Sequence, residues 1–337
     1  MKSSRVLAAA GAISAIALMS SPAIAQTSNE LASHGTAMKT VHAASGSKVG
    51  TNTSLAAEQM TYHGGQVQTA QKVYVVFYGN QWGSAGANGL PTVDPSGEAS
   101  LYTTFISSLY GAGDNWSTST TQYCSGVAVG TKICGTSGTH INHPASSPLA
   151  GIWVDNGIKA PRSPSNSALA NEAVRGANHF GVSGTNVQII VASPHGVTPS
   201  GFKTQYCAWH SNVSVNGVNT TYTNLPYISD AGTSCGSGYV ATGSSGVNSS
   251  TEGVTIVGGH EYAETVTDPL PGATEAWRDD ADSTTGGENG DKCAWSYGTS
   301  GIVTLNGGNY AVQSLYSNDK NGTGGCSIYY NSPTNQG

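Results

Sequence analysis

Val254-Thr-Ile-Val257-Gly-Gly-His260-Glu-Tyr-Ala-Glu264-Thr-Val-Thr-Asp268-Pro269 is the stretch on which the reading of this chain turns. Val254 to Val257 reads as a short apolar strand and Gly258-Gly259 as a turn. His260 to Val266, without Gly or Pro until Pro269, reads as a helix. Helical residues four apart are separated by about 400°, so His260 and Glu264 share one face, one turn apart. Zinc enzymes with an H-E-x-x-H helix hold the metal through that spacing, and the Glu after the first His serves as general base. Here Glu264 replaces the second His, and a carboxylate oxygen is an accepted zinc ligand. The segment therefore predicts His260 and Glu264 as metal ligands and Glu261 as the catalytic base. A metal-free i,i+4 hydrogen-bonded pair has the same spacing. Context favours the metal: these three ionisable residues fall within five positions of a chain in which only 9 % of residues are charged.

Three residues are candidates for a third ligand. Asp268 lies one turn further along the same helix, at its end. Asp291, in Glu288-Asn-Gly-Asp-Lys-Cys293, could return from a downstream loop. His210, in Cys207-Ala-Trp-His210, would complete a set of two His and one Glu. His210 is favoured because two carboxylates and one His would leave the metal nearly neutral and a poor Lewis acid.

Around this helix the sequence alternates short strands, helices and glycine turns. Lys72 to Tyr78 and Asn186 to Ala192 are β-branched or aromatic runs that read as strands. Leu101 to Leu109 and Ala168 to Phe180 carry apolar residues at helical spacing. The fold class expected is α+β: a single zincin-like domain with a mixed or antiparallel sheet and a metal-site helix, stabilised by disulfides.

The N-terminus has a basic start (Lys2, Arg5), an apolar core from Val6 to Met19 and the small-residue pattern Ala23-Ile-Ala25, so residues 1–25 read as a secretory signal peptide. Residues 26–60, rich in Ser, Thr, Ala and Gly, read as a flexible linker or pro-segment, and 61–337 as the domain. Without the signal the chain keeps 11 basic and 19 acidic residues. That balance excludes a basic surface for nucleic acid, and no later run is long and apolar enough to span a membrane. Secreted, extracellular or periplasmic, the chain has six cysteines (Cys124, Cys134, Cys207, Cys235, Cys293, Cys326), an even number that predicts disulfides. Joining sequence neighbours gives 124–134, 207–235 and 293–326, one of fifteen connectivities. Asp279, Asp280, Asp282, Glu288 and Asp291 crowd oxygen ligands into one glycine-containing stretch that could hold calcium, although the spacing is not that of a standard calcium loop.

Several blocks together resemble the EXORDIUM-like (phosphate-induced) proteins. Tyr62-His-Gly-Gly65 before the Val73 to Gly79 run is similar to that family's opening block. Cys207-Ala-Trp-His210 resembles its C-G-F-H element, and Leu225-Pro-Tyr227 with Cys235 its L-P-Y segment. Gly259-His-Glu261 through Glu264 resembles its G-H-E-L-A-E helix, Gly290-Asp-Lys-Cys293 its G-D-x-C turn, and Tyr310-Ala-Val-Gln313 with Cys326 its closing strand and cysteine. The blocks keep their order over about residues 62 to 330. The plant proteins commonly have Asn where this chain has Asp268, which weakens Asp268 as a ligand. The resemblance implies an extracellular protein whose His210, His260, Glu261, Glu264, Asp291 and Cys293 belong to one constellation.

Two functions follow as expectations. One is a secreted metal-dependent hydrolase, a zinc endopeptidase that acts on protein or peptide through water activated by the metal. The other is a non-catalytic extracellular binding or signalling protein of the EXORDIUM type, whose Trp82, Trp116 and Trp295 would stack on cell-wall carbohydrate.

Overall fold

The computed structural model describes residues 37–39, 58–111, 113–282, 286–306 and 308–329. The signal-peptide segment, and most of the 26–60 leader, lie outside them.

The β-branched runs fold where their composition places them. Six strands form the main sheet: β1 (Ala37–Lys39), β2 (Lys72–Tyr78), β3 (Leu149–Asp155), β4 (Val187–Ala192), β5 (Tyr206–Val215) and β6 (Val218–Leu225). Their spatial order is β1-β5-β6-β4-β2-β3. The pairs β6–β4, β4–β2 and β2–β3 are parallel, whereas β5 runs antiparallel to β6 and β1 antiparallel to β5. The sheet is therefore mixed. β2 and β4 are buried almost throughout, as parallel strands covered on both faces must be.

Three helices make those covers. α1 (Glu98–Ser108) begins where the Asp94 carboxylate accepts the N–H groups of Glu98 and Ala99, at 3.1 and 2.9 Å. α2 (Asn166–Phe180) starts at Ser165, whose hydroxyl caps Ala168 N–H, and ends at Gly181 in the left-handed conformation. α3 spans Gly253–Thr267. Register puts Val76, Val191, Asn224 and Trp209 on one face of the sheet, so His210, the next residue of β5, faces the other way. α2 packs on the Val76 face, where a Cβ on Gly176 would lie 2.4 Å from that valine. α3 lies on the His210 face and α1 packs on α3.

Residues 254–257, read as a strand, are instead the first turn of α3, which is buried along its whole length. The reason is tertiary. A Cβ on Gly258 would lie 2.3 Å from the Tyr102 ring, and one on Gly259 would lie 3.1 Å from Trp116. The glycine pair is thus a flat face against which α1 and the following segment close, and helical backbone continues through it. Trp82 and Trp116, expected as sugar-stacking surface aromatics, are 2 % and 1 % exposed. Their indole N–H groups donate to Ala192 O and Gln313 O, so both belong to the core.

The disulfides are Cys124–Cys134, Cys207–Cys235 and Cys293–Cys326, and no cysteine is free. No helix among the described residues is long and apolar enough to cross a membrane.

Candidate metal centre

Helical spacing in the middle of α3 does what the sequence implied. His260 and Glu264 lie on one face, with Nε2 and Oε1 2.9 Å apart. The loop after the short strand at Trp277–Arg278 then returns to this face, and Asp291 Oδ1 comes within 3.6 Å of His260 Nε2. His260, Glu264 and Asp291 can offer one atom each to a single cation. The return is close because position 290 is glycine: a Cβ there would meet His260 Nδ1 at 2.8 Å and Glu264 Oε1 at 3.0 Å. The loop is tied down by Asp291 N–H, which donates to Glu264 Oε1 at 2.8 Å, and by the Cys293 disulfide to Cys326.

His210 reaches the same helix from β5 but meets its other carboxylate oxygens. Its Nδ1 is 3.3 Å from Glu261 Oε2 and 3.5 Å from Glu264 Oε2. His210, Glu261 and Glu264 form a second group with metal-ligand spacing, and Glu264 is common to both. Asp268 caps α3; its carboxylate accepts Ala276 N–H at 3.0 Å, and its carbonyl lies 3.1 Å from His210 Nε2. It joins neither group. Glu288 Oε1 stands 3.7 Å from His210 Nε2 on the far side of that ring.

The hydrogen bonds outside the cluster determine what faces inward. His260 Nδ1 lies 3.1 Å from Gln313 Oε1, and the Gln313 amide nitrogen donates to Gly290 O at 2.7 Å. The Gln313 oxygen must therefore accept from Nδ1–H, and in the neutral ring the Nε2 lone pair points at carboxylate oxygens. His210 repeats the pattern, with Nε2–H toward the Asp268 carbonyl and Nδ1 toward Glu261 and Glu264. Acceptors facing acceptors in a buried site need either a second ring proton or a cation between them. His210, His260, Glu261, Glu264, Asp268, Glu288 and Asp291 are all at most 2 % exposed. Glu261 Oε1, Glu264 Oε2 and both Glu288 oxygens make no hydrogen bond.

Five carboxyl groups and two imidazoles thus share one dry space, and ionisation is redistributed among them. Burial would raise Glu264, but the two histidines outweigh it and hold this carboxyl down at about 2. Burial dominates for Glu261 and Glu288, which are raised, and takes Asp268 to about 7. Burial opposes the charge on both histidines, yet the surrounding carboxylates win and both are raised. Glu264 is thus held ionised, while burial favours the neutral form of Glu261, Asp268 and Glu288 around it.

The acidic stretch read as a calcium loop is divided. Glu288 and Asp291 turn toward α3, Asp279 takes the ammonium of buried Lys292, and Asp280 is exposed beside His63. Among the described residues no three of the five gather as ligands of one ion.

The chain matches no known family, curated protein or solved structure. The geometry of the site adds two residues to which sequence reading assigned no role at the metal: Gln313, a buried amide closing the otherwise apolar run from Tyr310, and Gly290, whose missing side chain admits the loop.

Proposed function

We propose that the protein is a secreted metal-dependent hydrolase, a zinc endopeptidase of zincin-like design related to the EXORDIUM-like proteins. The observation that carries this reading is the convergence of His260 Nε2, Glu264 Oε1 and Asp291 Oδ1, with the His260 ring oriented from behind by Gln313. One imidazole and two carboxylates fit a zinc ion. Bound there, zinc would polarise the scissile carbonyl and acidify water. Glu261 follows His260 directly and is held by His210, leaving Oε1 to take a proton from water and pass it to the leaving amine. His210 Nδ1 lies beside Glu261 and Glu264, where a protonated ring would offset the extra carboxylate that distinguishes this set from a two-His site. Three disulfides and the leader composition support an extracellular location.

One observation favours the second reading, a metal-stabilised extracellular protein without turnover: the cluster is closed to solvent, as structural metal sites are. Glu261→Gln separates the two. A hydrolase keeps its metal and its melting temperature but loses chelator-sensitive cleavage of denatured casein or gelatin by at least about 100-fold. Should wild type contain zinc and cleave nothing across a wide pH range, the structural reading stands. Purified protein without stoichiometric metal removes both.

A further inference from the structure

His260 and His210 come from different elements, α3 and β5, yet their rings are set in the same way. Each turns one nitrogen outward to a carbonyl oxygen: His260 Nδ1 lies 3.1 Å from Gln313 Oε1, and His210 Nε2 lies 3.1 Å from the Asp268 carbonyl. Each turns its other nitrogen inward onto a carboxylate. His260 Nε2 is 2.9 Å from Glu264 Oε1, and His210 Nδ1 is 3.5 Å from Glu264 Oε2. An outer N–H bonded to an oxygen and an inner lone pair facing carboxylates are the setting of a metal-ligating histidine. Here the two inner nitrogens address opposite oxygens of one side chain.

Each oxygen of Glu264 thus has its own group. Oε1 belongs with His260 and Asp291, and Oε2 with His210 and Glu261, whose Oε2 is 3.3 Å from His210 Nδ1. Within each group the ligand atoms lie within 4.8 Å of one another, and no group contains both rings. Two ligands on one zinc ion stand at most about 4 Å apart, twice a bond of about 2.1 Å, so a single ion takes one ring or the other. His260 Nε2, Glu264 Oε2 and Glu261 Oε1 make no hydrogen bond, although all three residues are 0 % exposed. Acceptors without a donor therefore remain in both groups. Charge points the same way. One divalent ion balances two of the buried carboxylates Glu261, Glu264, Glu288 and Asp291, and a second balances the other two. Buried Lys292 does not serve them, because Asp279 takes its ammonium.

We propose that the centre is dinuclear, with one divalent ion on His260, Asp291 and Glu264 Oε1, a second on His210, Glu261 and Glu264 Oε2, and the Glu264 carboxylate as the bridge. This rests on the metal-binding part of the hydrolase reading and not on turnover. The second ion takes the place of a proton between His210 and the carboxylates. Glu261, held through Oε2, keeps Oε1 for proton transfer, and its amide variant keeps the first ion. Two-metal hydrolytic sites hold their ions about 3.5–4 Å apart. Because the cluster is closed to solvent, both ions are taken up as the chain folds.

The test uses the full chain, produced in zinc-supplemented medium so that metal is present during folding, and then dialysed. Zinc per chain is measured together with X-ray absorption at the zinc edge. Wild type should hold two zinc ions per chain and show a zinc–zinc vector of about 3.5–4 Å. His210→Leu and Asp291→Ala each remove a ligand from one group, so both should fall from two ions to one and lose the vector. If neither variant folds, the wild-type count and vector decide alone. One ion per chain in wild type overturns the dinuclear centre and leaves the hydrolase reading standing. Two ions without the vector overturn it as well. Two ions with the vector but without chelator-sensitive cleavage uphold it and remove the hydrolase. Protein without stoichiometric metal overturns both.

Discussion

Gln313 offers no atom to the candidate metal position, yet the state of His260 depends on it. Its oxygen accepts from Nδ1–H, which commits the Nε2 lone pair to the space between Glu264 and Asp291. Residues that hold a ligand histidine from behind are typically worth about 10- to 100-fold in metal affinity. Gln313→Leu should lower zinc affinity by about that factor in competition with a chromophoric chelator. Gln313→Glu keeps an acceptor at the same place and should recover most of it. If both variants bind as wild type does, the imidazole is oriented by something else. Glu261 is outside the His260–Glu264–Asp291 group, so on the proposed reading its amide variant bears on proton transfer and leaves those three candidate ligands in place.

α3 shows what determines an element here. A Cβ at position 258 would sit 2.3 Å from the Tyr102 ring, inside any real contact distance. Gly258→Ala gains about 1 kcal/mol of helix propensity but forces overpacking that costs about 1–3 kcal/mol, so the second effect prevails. Chemical denaturation should show Gly258→Ala destabilised and Gly258→Ala/Tyr102→Leu less so than the two single changes added. Strict additivity would mean that the ring does not press on this glycine. The same contact explains what could be read in advance. β2 and α2 were legible because period and composition are local, and so was the His260–Glu264 pair, whose spacing is one helical turn. The start of α3 was not: Val254, Ile256 and Val257 followed by two glycines carry the signature of a strand and a turn, and only packing on Tyr102, Phe105 and Trp116 makes them helix. Among the three candidate third partners the charge argument favoured His210, whereas Asp291 is the one that meets His260 and Glu264 together. Their approach depends on a returning loop and a strand from the other end of the sheet. Gln313 gave no signal beyond one polar residue ending an apolar strand.

Over the whole molecule the scarcity of charge takes a particular form. Twelve of the 19 acidic residues are buried, so the surface is poorer in charge than the composition suggests, and stability depends on acids inside. Not all of these belong to the candidate metal centre. Glu172 on α2 lies across the sheet, beside Asp155 and Arg175, with neither carboxyl oxygen in a hydrogen bond and an Arg175 Nε contact of 3.3 Å. Burial first, and then the Asp155 charge, push its carboxyl up to about 8, with Arg175 opposing. In the unfolded chain it titrates near 4.5. The folded state therefore holds this proton more tightly, and the resulting stabilisation is complete below about pH 4.5 and is lost as pH rises through about 8. Glu172→Gln removes the ionisation without removing the side chain. Its melting temperature should match wild type near pH 4.5 and exceed it increasingly up to about pH 8, above which the difference stays constant. Because Glu172 is remote from His260 and Glu264, the same difference should appear with chelator present. Parallel melting curves across that range would mean that the carboxyl ionises in the fold as readily as in water.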